Sequence, residues 1–154
     1  MSLGKDMRQE PVSELSLREA ITVKPETSVR EAVRLMQAQE LGCVVVVDDE
    51  SRPSGIFTES VLMNVLIAGN QLDDPVAEHL AAQMAVVRRS DPIVRVLRAM
   101  QQYDQRFVVV TDDDGRVEAL TGQKGLMEYV AEHFPKQVMV QRIGSPVIQD
   151  REGA

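Results

Sequence analysis

The chain has 154 residues, 44% of them hydrophobic but only 3% aromatic, with no Trp. That is enough to bury a core of Val, Leu, Ile, Ala and Met, and too few rings for a stacking platform that binds single-stranded nucleic acid. The 17 basic and 24 acidic residues give a net charge of −7, which excludes a nucleic acid polymer or an anionic membrane as the main partner, because each needs a basic face.

The N-terminus, "MSLGKDMRQE", is polar and lacks the apolar stretch of a secretory signal. Residues 1–10 are expected to be an extension, with "MSL" as a tag remnant. No apolar run approaches the ~20 residues that span a bilayer, so no membrane insertion is expected and the expected setting is the cytoplasm. Cys43 is the only cysteine, so it cannot form an internal disulfide; it reads as a small buried hydrophobe in a reducing compartment. His79 and His133 lie far apart, no Cys/His cluster has metal-ligand spacing, and no metal site is expected.

The predicted elements come in two series. Residues 20–23 form a short extended piece, and Pro25 marks a turn. Val29, Ala32, Val33 and Met36 recur at i, i+3, i+4 and i+7, which predicts an amphipathic helix with Thr27 or Ser28 as N-cap. "CVVVV" (43–47) does not alternate, so it reads as a strand covered on both faces. "DDESRPSG" (48–55) is a polar turn. A short strand at 55–57 leads to a helix at 59–69 that Gly69-Asn70 closes. "DDPVAEHL" (73–80) predicts a short helix capped by Asp74, with Pro75 at its first position.

The series then repeats. A piece at 85–87 precedes a turn at Asp91-Pro92, with Asp91 as the expected cap of a helix whose apolar face is Ile93, Val96, Leu97 and Met100. Next come a strand at 107–111, a turn "DDDG" (112–115), a strand at 117–120 and a helix at 122–133 stopped by Pro135. Met36 aligns with Met100, an offset of 64, and "CVVVVDD" falls on "FVVVTDD" at the same offset. One small gap is expected in the turn after the Asp run. The Asp runs lack the alternation and distal Glu of a calcium loop. The tail, 136–154, lies outside the repeat; its "QVMVQ" alternates like a strand.

Each copy therefore reads β-α-β-β-α, giving an α/β (α+β) fold. One copy cannot cover its own sheet, whereas two packed sheet to sheet share a core. The expected division is 11–71 for the first repeat, 72–135 for the second and 136–154 for the tail.

This tandem pattern resembles the cystathionine-β-synthase (CBS) domain pair, or Bateman module, with two repeats related by a pseudo-twofold axis. The carrying residues are "PVSELSLREAITVKPETSVREAVRLM", "CVVVVDD" and "GIFTES" in the first copy, and "VAEHLAAQMAVVRRSDPIVRVLRAM" with "FVVVTDD" in the second. The resemblance covers roughly residues 11–134. It implies a regulatory module, not an enzyme, with no catalytic residues. The implied ligand contains adenine (AMP, ADP, ATP, NAD or S-adenosylmethionine), sits between the repeats, and shifts contacts to a separate effector protein. It also implies a homodimer.

The family's ligand signature is Gly-apolar-apolar-Thr/Ser-x-x-Asp. Gly55 and Thr58 match it in the first copy, and Val61 takes the Asp position. In the second copy "EALTGQK" aligns Thr121 with the Thr position, Glu118 with the Gly and Lys124 with the Asp. Both ribose-holding carboxylates are thus replaced. A helix start is an anion site by its unpaired N–H groups and dipole, so Thr58 and Thr121 are the expected anchors. Ile21, Val23, Gly55, Arg106 and Lys124 are the further cleft candidates. A non-nucleotide-binding interaction scaffold of the same fold is the alternative.

Overall fold

The structure is a computed structural model that describes residues 3–133. Helix α1 spans Leu3–Gln9. The first repeat comprises β1 (Thr22–Val23), α2 (Val29–Gln39), β2 (Cys43–Val47), β3 (Pro53–Thr58) and α3 (Glu59–Ala68). The second comprises β4 (Ala85–Arg88), α4 (Val94–Tyr103), β5 (Phe107–Thr111), β6 (Val117–Gly122) and α5 (Gln123–His133). Each repeat carries a three-stranded mixed sheet, ordered β1-β2-β3 and β4-β5-β6, with the first pair parallel and the second antiparallel. This is the α+β pair of β-α-β-β-α units expected from the sequence.

The two valine-rich strands sit where continuous apolar runs belong. All five residues of β2 are buried, and in β5 only Phe107 is half-exposed. One core cluster gathers the first repeat and also takes Val109 and Leu120 from the second sheet, so the sheets face one another. Ser28 is the N-cap of α2: its Oγ accepts from Glu31 N at 3.1 Å. Gly69 ends α3 in the left-handed region at φ 75°.

The backbone repeats at one constant offset. The left-handed residues Glu40 and Asp104, and Ser51 and Gly115, are each 64 apart. Asp48 Oδ1 accepts from the N–H groups of Glu50 and Arg52, and Asp112 Oδ1 does the same for Asp114 and Arg116. The Arg52 N–H chiefly holds the Asp48 carboxyl below its ordinary value. Both hairpins shift register one residue before the turn, at Val46/Val47 and Val110/Thr111. No gap exists, because the two turns are equally long.

The leaders of the repeats are exchanged. A 3-10 turn at Val12–Glu14 precedes the first repeat, yet Val12 N donates to Asp91 O at 2.8 Å and Val12 is buried in the second core. Its twin at Val76–Glu78 precedes the second repeat, yet Val76 N donates to Thr27 O at 2.7 Å and Val76 is buried in the first core. Each leader therefore closes the other repeat's core, which makes the pair interdependent.

Two local expectations need correction. Asp91 does not cap α4; its Oδ2 accepts from Arg88 N at 2.8 Å, inside the preceding turn. Asp74 does not cap a helix either; the turn after Pro75 has no side-chain cap, and the Asp74 carboxylate meets His79. The expected N-terminal extension contains α1, whose Met7 is buried in the second core. Pro135 and the strand-like 137–141 lie outside the described residues.

Candidate functional site

The first residues of α3 and α5 are where ligand chemistry was expected, and the two starts differ. Thr58 is the N-cap of α3, its Oγ1 accepting from Val61 N at 3.3 Å, and Glu59 N donates to Gly42 O at 3.2 Å. Gly55 is buried, and a Cβ there would collide with the end of Leu80. The space in front of this glycine is thus occupied by the chain itself.

The second start is shifted by one residue from the expected alignment. Cys43 pairs with Thr58 across the first hairpin, and Phe107 pairs with Gly122 across the second. The twin of Thr58 is therefore Gly122, the twin of Phe57 is Thr121, and the twin of Val61 is Gly125. Thr121 is not the cap of α5; it lies in β6, 7% exposed, and its hydroxyl has no hydrogen-bond partner among the described residues. Such an orphan costs about 1–3 kcal/mol.

Two glycines make this arrangement fit. A Cβ on Gly122 would collide with the Arg106 carbonyl oxygen. A Cβ on Gly125 would lie 2.7 Å from Thr121 Oγ1 and 3.1 Å from Ser16 O.

A cavity of about 760 Å³ opens beside α5. Its floor is Phe107, Leu120 and Thr121; Leu41 and Met127 add apolar wall, and Arg18, Arg106 and Lys124 supply positive charge. Arg18 arrives from the leader, whose backbone pairs reciprocally with Leu120 at 2.8 and 2.7 Å. Its guanidinium donates to Gln39 O and Glu40 O at the end of α2 at 2.8 and 3.0 Å. Arg106 stacks over the Phe107 ring at 5.4 Å. Lys124 is exposed in the first turn of α5 and meets no hydrogen-bond or ion-pair partner among the described residues. Glu128 is the acidic group on the wall.

Of the expected candidates, Thr121, Arg106 and Lys124 meet in this one cavity. Thr58 and Gly55 stand at the other repeat's helix start. Ile21 and Val23 are core residues of the first repeat, 5% and 7% exposed. Arg18 was missed, since its approach depends on the exchanged leader and leaves no local signal. Cys43 is buried beneath this region. Burial, which outweighs the opposing pull of Arg18 and Arg106, pushes its thiol up to about 12, so it is no nucleophile.

The CBS domain model matches residues 12–68 and 76–132, two spans that are themselves 64 apart. The chain belongs to the CBS domain family, as a tandem pair. An uncharacterised protein of Methanopyrus kandleri is 25% identical over 124 residues, covering 79% of this chain; the chain spans 63% of that relative's length. A CBS domain protein from Pyrobaculum aerophilum, solved in complex with AMP, superposes with a TM-score of 0.71 at 19% identity, covering 86% of this chain and 97% of that one. The CBS domain pair of protein MJ0100, solved with 5′-methylthioadenosine and S-adenosyl-L-methionine, gives 0.69 at 19% identity, covering 80% and 98%. Among the described residues, no helix is long and apolar enough to cross a membrane.

Proposed function

We propose that the chain is a regulatory, non-catalytic sensor that binds a phosphate-bearing adenine nucleotide in the cleft beside α5 and passes a change of repeat orientation to an effector. The observation that carries this reading is the convergence of Arg18, Arg106 and Lys124 on one mainly apolar cavity. Arginine forks and a lysine point charge are phosphate ligands, and Phe107, Leu120 and Met127 offer a flat apolar bed for a base. The AMP held by one related pair supports this ligand class, and the phosphate-free adenosine derivatives held by another support the adenine part of it. AMP, ADP, ATP and NAD are the candidates that fit, the cations favouring those with more phosphate; S-adenosylmethionine, a sulfonium without phosphate, fits this cleft least.

The ligand bridges the exchanged leader (Ser16–Arg18), the end of α2 through Arg18, and the start of α5. It therefore touches both repeats, and closing on it biases their relative orientation. A second copy is the proposed partner. Met63 and Met127 are twins on α3 and α5, and with Ile67 they are 62%, 70% and 83% exposed. Exposed apolar groups on two symmetry-related helices suit a twofold contact. A cytoplasmic setting suits this role, since the free Cys43 needs no oxidising compartment.

The test is a melting series with each candidate nucleotide. A specific ligand at 100 times its Kd should add about 2.7 kcal/mol of stability. A flat response to all of them rejects the sensor and leaves the interaction scaffold. That second reading is favoured by the absence of a hydroxyl cap and of a carboxylate at Gly122 and Gly125.

A further inference from the structure

The leader of the second repeat carries a cluster that the nucleotide cleft does not use. Asp74, Glu78 and His79 each offer one ligand atom, and the three atoms lie within 4.8 Å of one another. His79 Nε2 donates to Asp74 Oδ2 at 3.0 Å, with the side chains 15% and 30% exposed. We infer that this cluster is a binding site for a first-row divalent cation of the Zn²⁺ type.

The ligand set argues for the metal class. One imidazole and two carboxylates suit a borderline ion, whereas Mg²⁺ and Ca²⁺ seek oxygen-only shells. The two carboxylates balance the ion's charge, and the arrangement leaves a position for water. The nearby Asp73 is committed to Arg30 at 3.1 Å.

The geometry is largely in place. Adjacent ligands of a tetrahedral ion with ~2.0–2.1 Å bonds sit about 3.3 Å apart, and the Asp74–His79 pair is already near that. Only exposed Glu78 has to swing inward. The backbone under the other two is fixed: Asp74 N donates to Gln71 O at 3.2 Å, Asp74 O accepts from Val29 N at 3.0 Å, and His79 N donates to Val76 O at 3.0 Å. Little ordering is left to oppose binding.

The first leader shows that this set is not a by-product of the repeat. The twins of Asp74, Glu78 and His79 are Glu10, Glu14 and Leu15. Leu15 is a core residue at 5% exposure, so the second leader has given up an apolar contact for an imidazole. Glu10 is instead engaged by the Tyr129 hydroxyl and by His133 Nε2, the latter at 3.2 Å. The turn bearing His79 delivers Val76 into the first core, so a bound ion would fasten the second leader onto the first repeat.

The experiment is a titration of the chelator-treated 154-residue chain with ZnCl₂, reading melting temperature and, by equilibrium dialysis, bound zinc. The expected result is a saturable rise with one Zn²⁺ per chain and no response to Mg²⁺. Binding should be lost in H79N and at least tenfold weaker in E78Q, each compared with its own metal-free baseline, and unchanged in H133N. No zinc retained by the wild type overturns the inference. So does equal binding by H79N, or loss of binding in H133N, which would move the ion to the Glu10–His133 pair.

Discussion

The two helix starts, α3 at Thr58 and α5 at Gly122, share one backbone and have opposite chemistry. At α3 the cap hydroxyl and the Gly42 carbonyl satisfy the first N–H groups, and Leu80 fills the space in front of Gly55. The twins of Arg18, Arg106 and Lys124 there are Ala82, Gly42 and Ser60, none of them basic, and Glu59 contributes a negative charge. At α5 the cap is gone, a buried hydroxyl is orphaned and three cations gather. The lesson is that duplication preserved the turns, bulges and left-handed residues, while the site residues diverged. One start is finished as structure, and the other opens onto a cavity.

The comparison can be broken most forcefully through Phe57 and Thr121, twins on β3 and β6. Phe57 is fully buried, so Phe57→Ala should cost about 3–5 kcal/mol in denaturant unfolding. Thr121→Val should do the reverse. It keeps the shape and removes an unsatisfied hydroxyl, so stability should rise by about 1 kcal/mol. A destabilised Thr121→Val would show that the hydroxyl has a partner, and the contrast would collapse.

Next in size is Gly122→Ala. Its Cβ meets a backbone carbonyl, which cannot rotate away, and the expected loss is about 1–3 kcal/mol. Gly55→Ala displaces only the tip of Leu80 and should cost less. Equal losses would mean the two starts are equally crowded. Ligand affinity sharpens the same contrast. Removing a charge-assisted contact costs about 1.5–3 kcal/mol, so Arg106→Ala and Lys124→Ala should each weaken nucleotide binding tenfold or more, while Ser60→Ala leaves it unchanged. Thr58→Ala should lose about 1 kcal/mol with the cap and leave nucleotide affinity as it was.

Much of the fold was legible because it rests on local signals. The valine runs, the i, i+3, i+4, i+7 faces and Gly69 mark their elements directly. Helix α1 was not legible, since "LGKDMRQ" offers a single buried residue, Met7. The caps at Asp74 and Asp91 were misread because an Asp before Pro has the right chemistry for a cap, and only tertiary contacts show that His79 and the Arg88 N–H claim those carboxylates.

The candidate site was half legible. Arg106 and Lys124 were picked out by their neighbours in sequence. The alignment of Thr121 with Thr58 followed the shared threonine rather than the hairpin register. "DDESRP" and "DDDGRV" have equal length, with Arg52 and Arg116 in matching places, and that signal could have fixed the register at Gly122. Arg18 had no such signal, because the exchange of leaders is a property of the folded pair.

The central claim is that one cleft, not both, takes the nucleotide. Calorimetric titration of the wild type and of the Arg106→Ala/Lys124→Ala double variant, with whichever nucleotide shifts the melting temperature most, tests it directly. The expected result is one site per chain in the wild type and none detectable in the double variant, whose melting temperature without ligand stays near that of the wild type. Two equivalent sites per chain, or undiminished binding in the double variant, would contradict it.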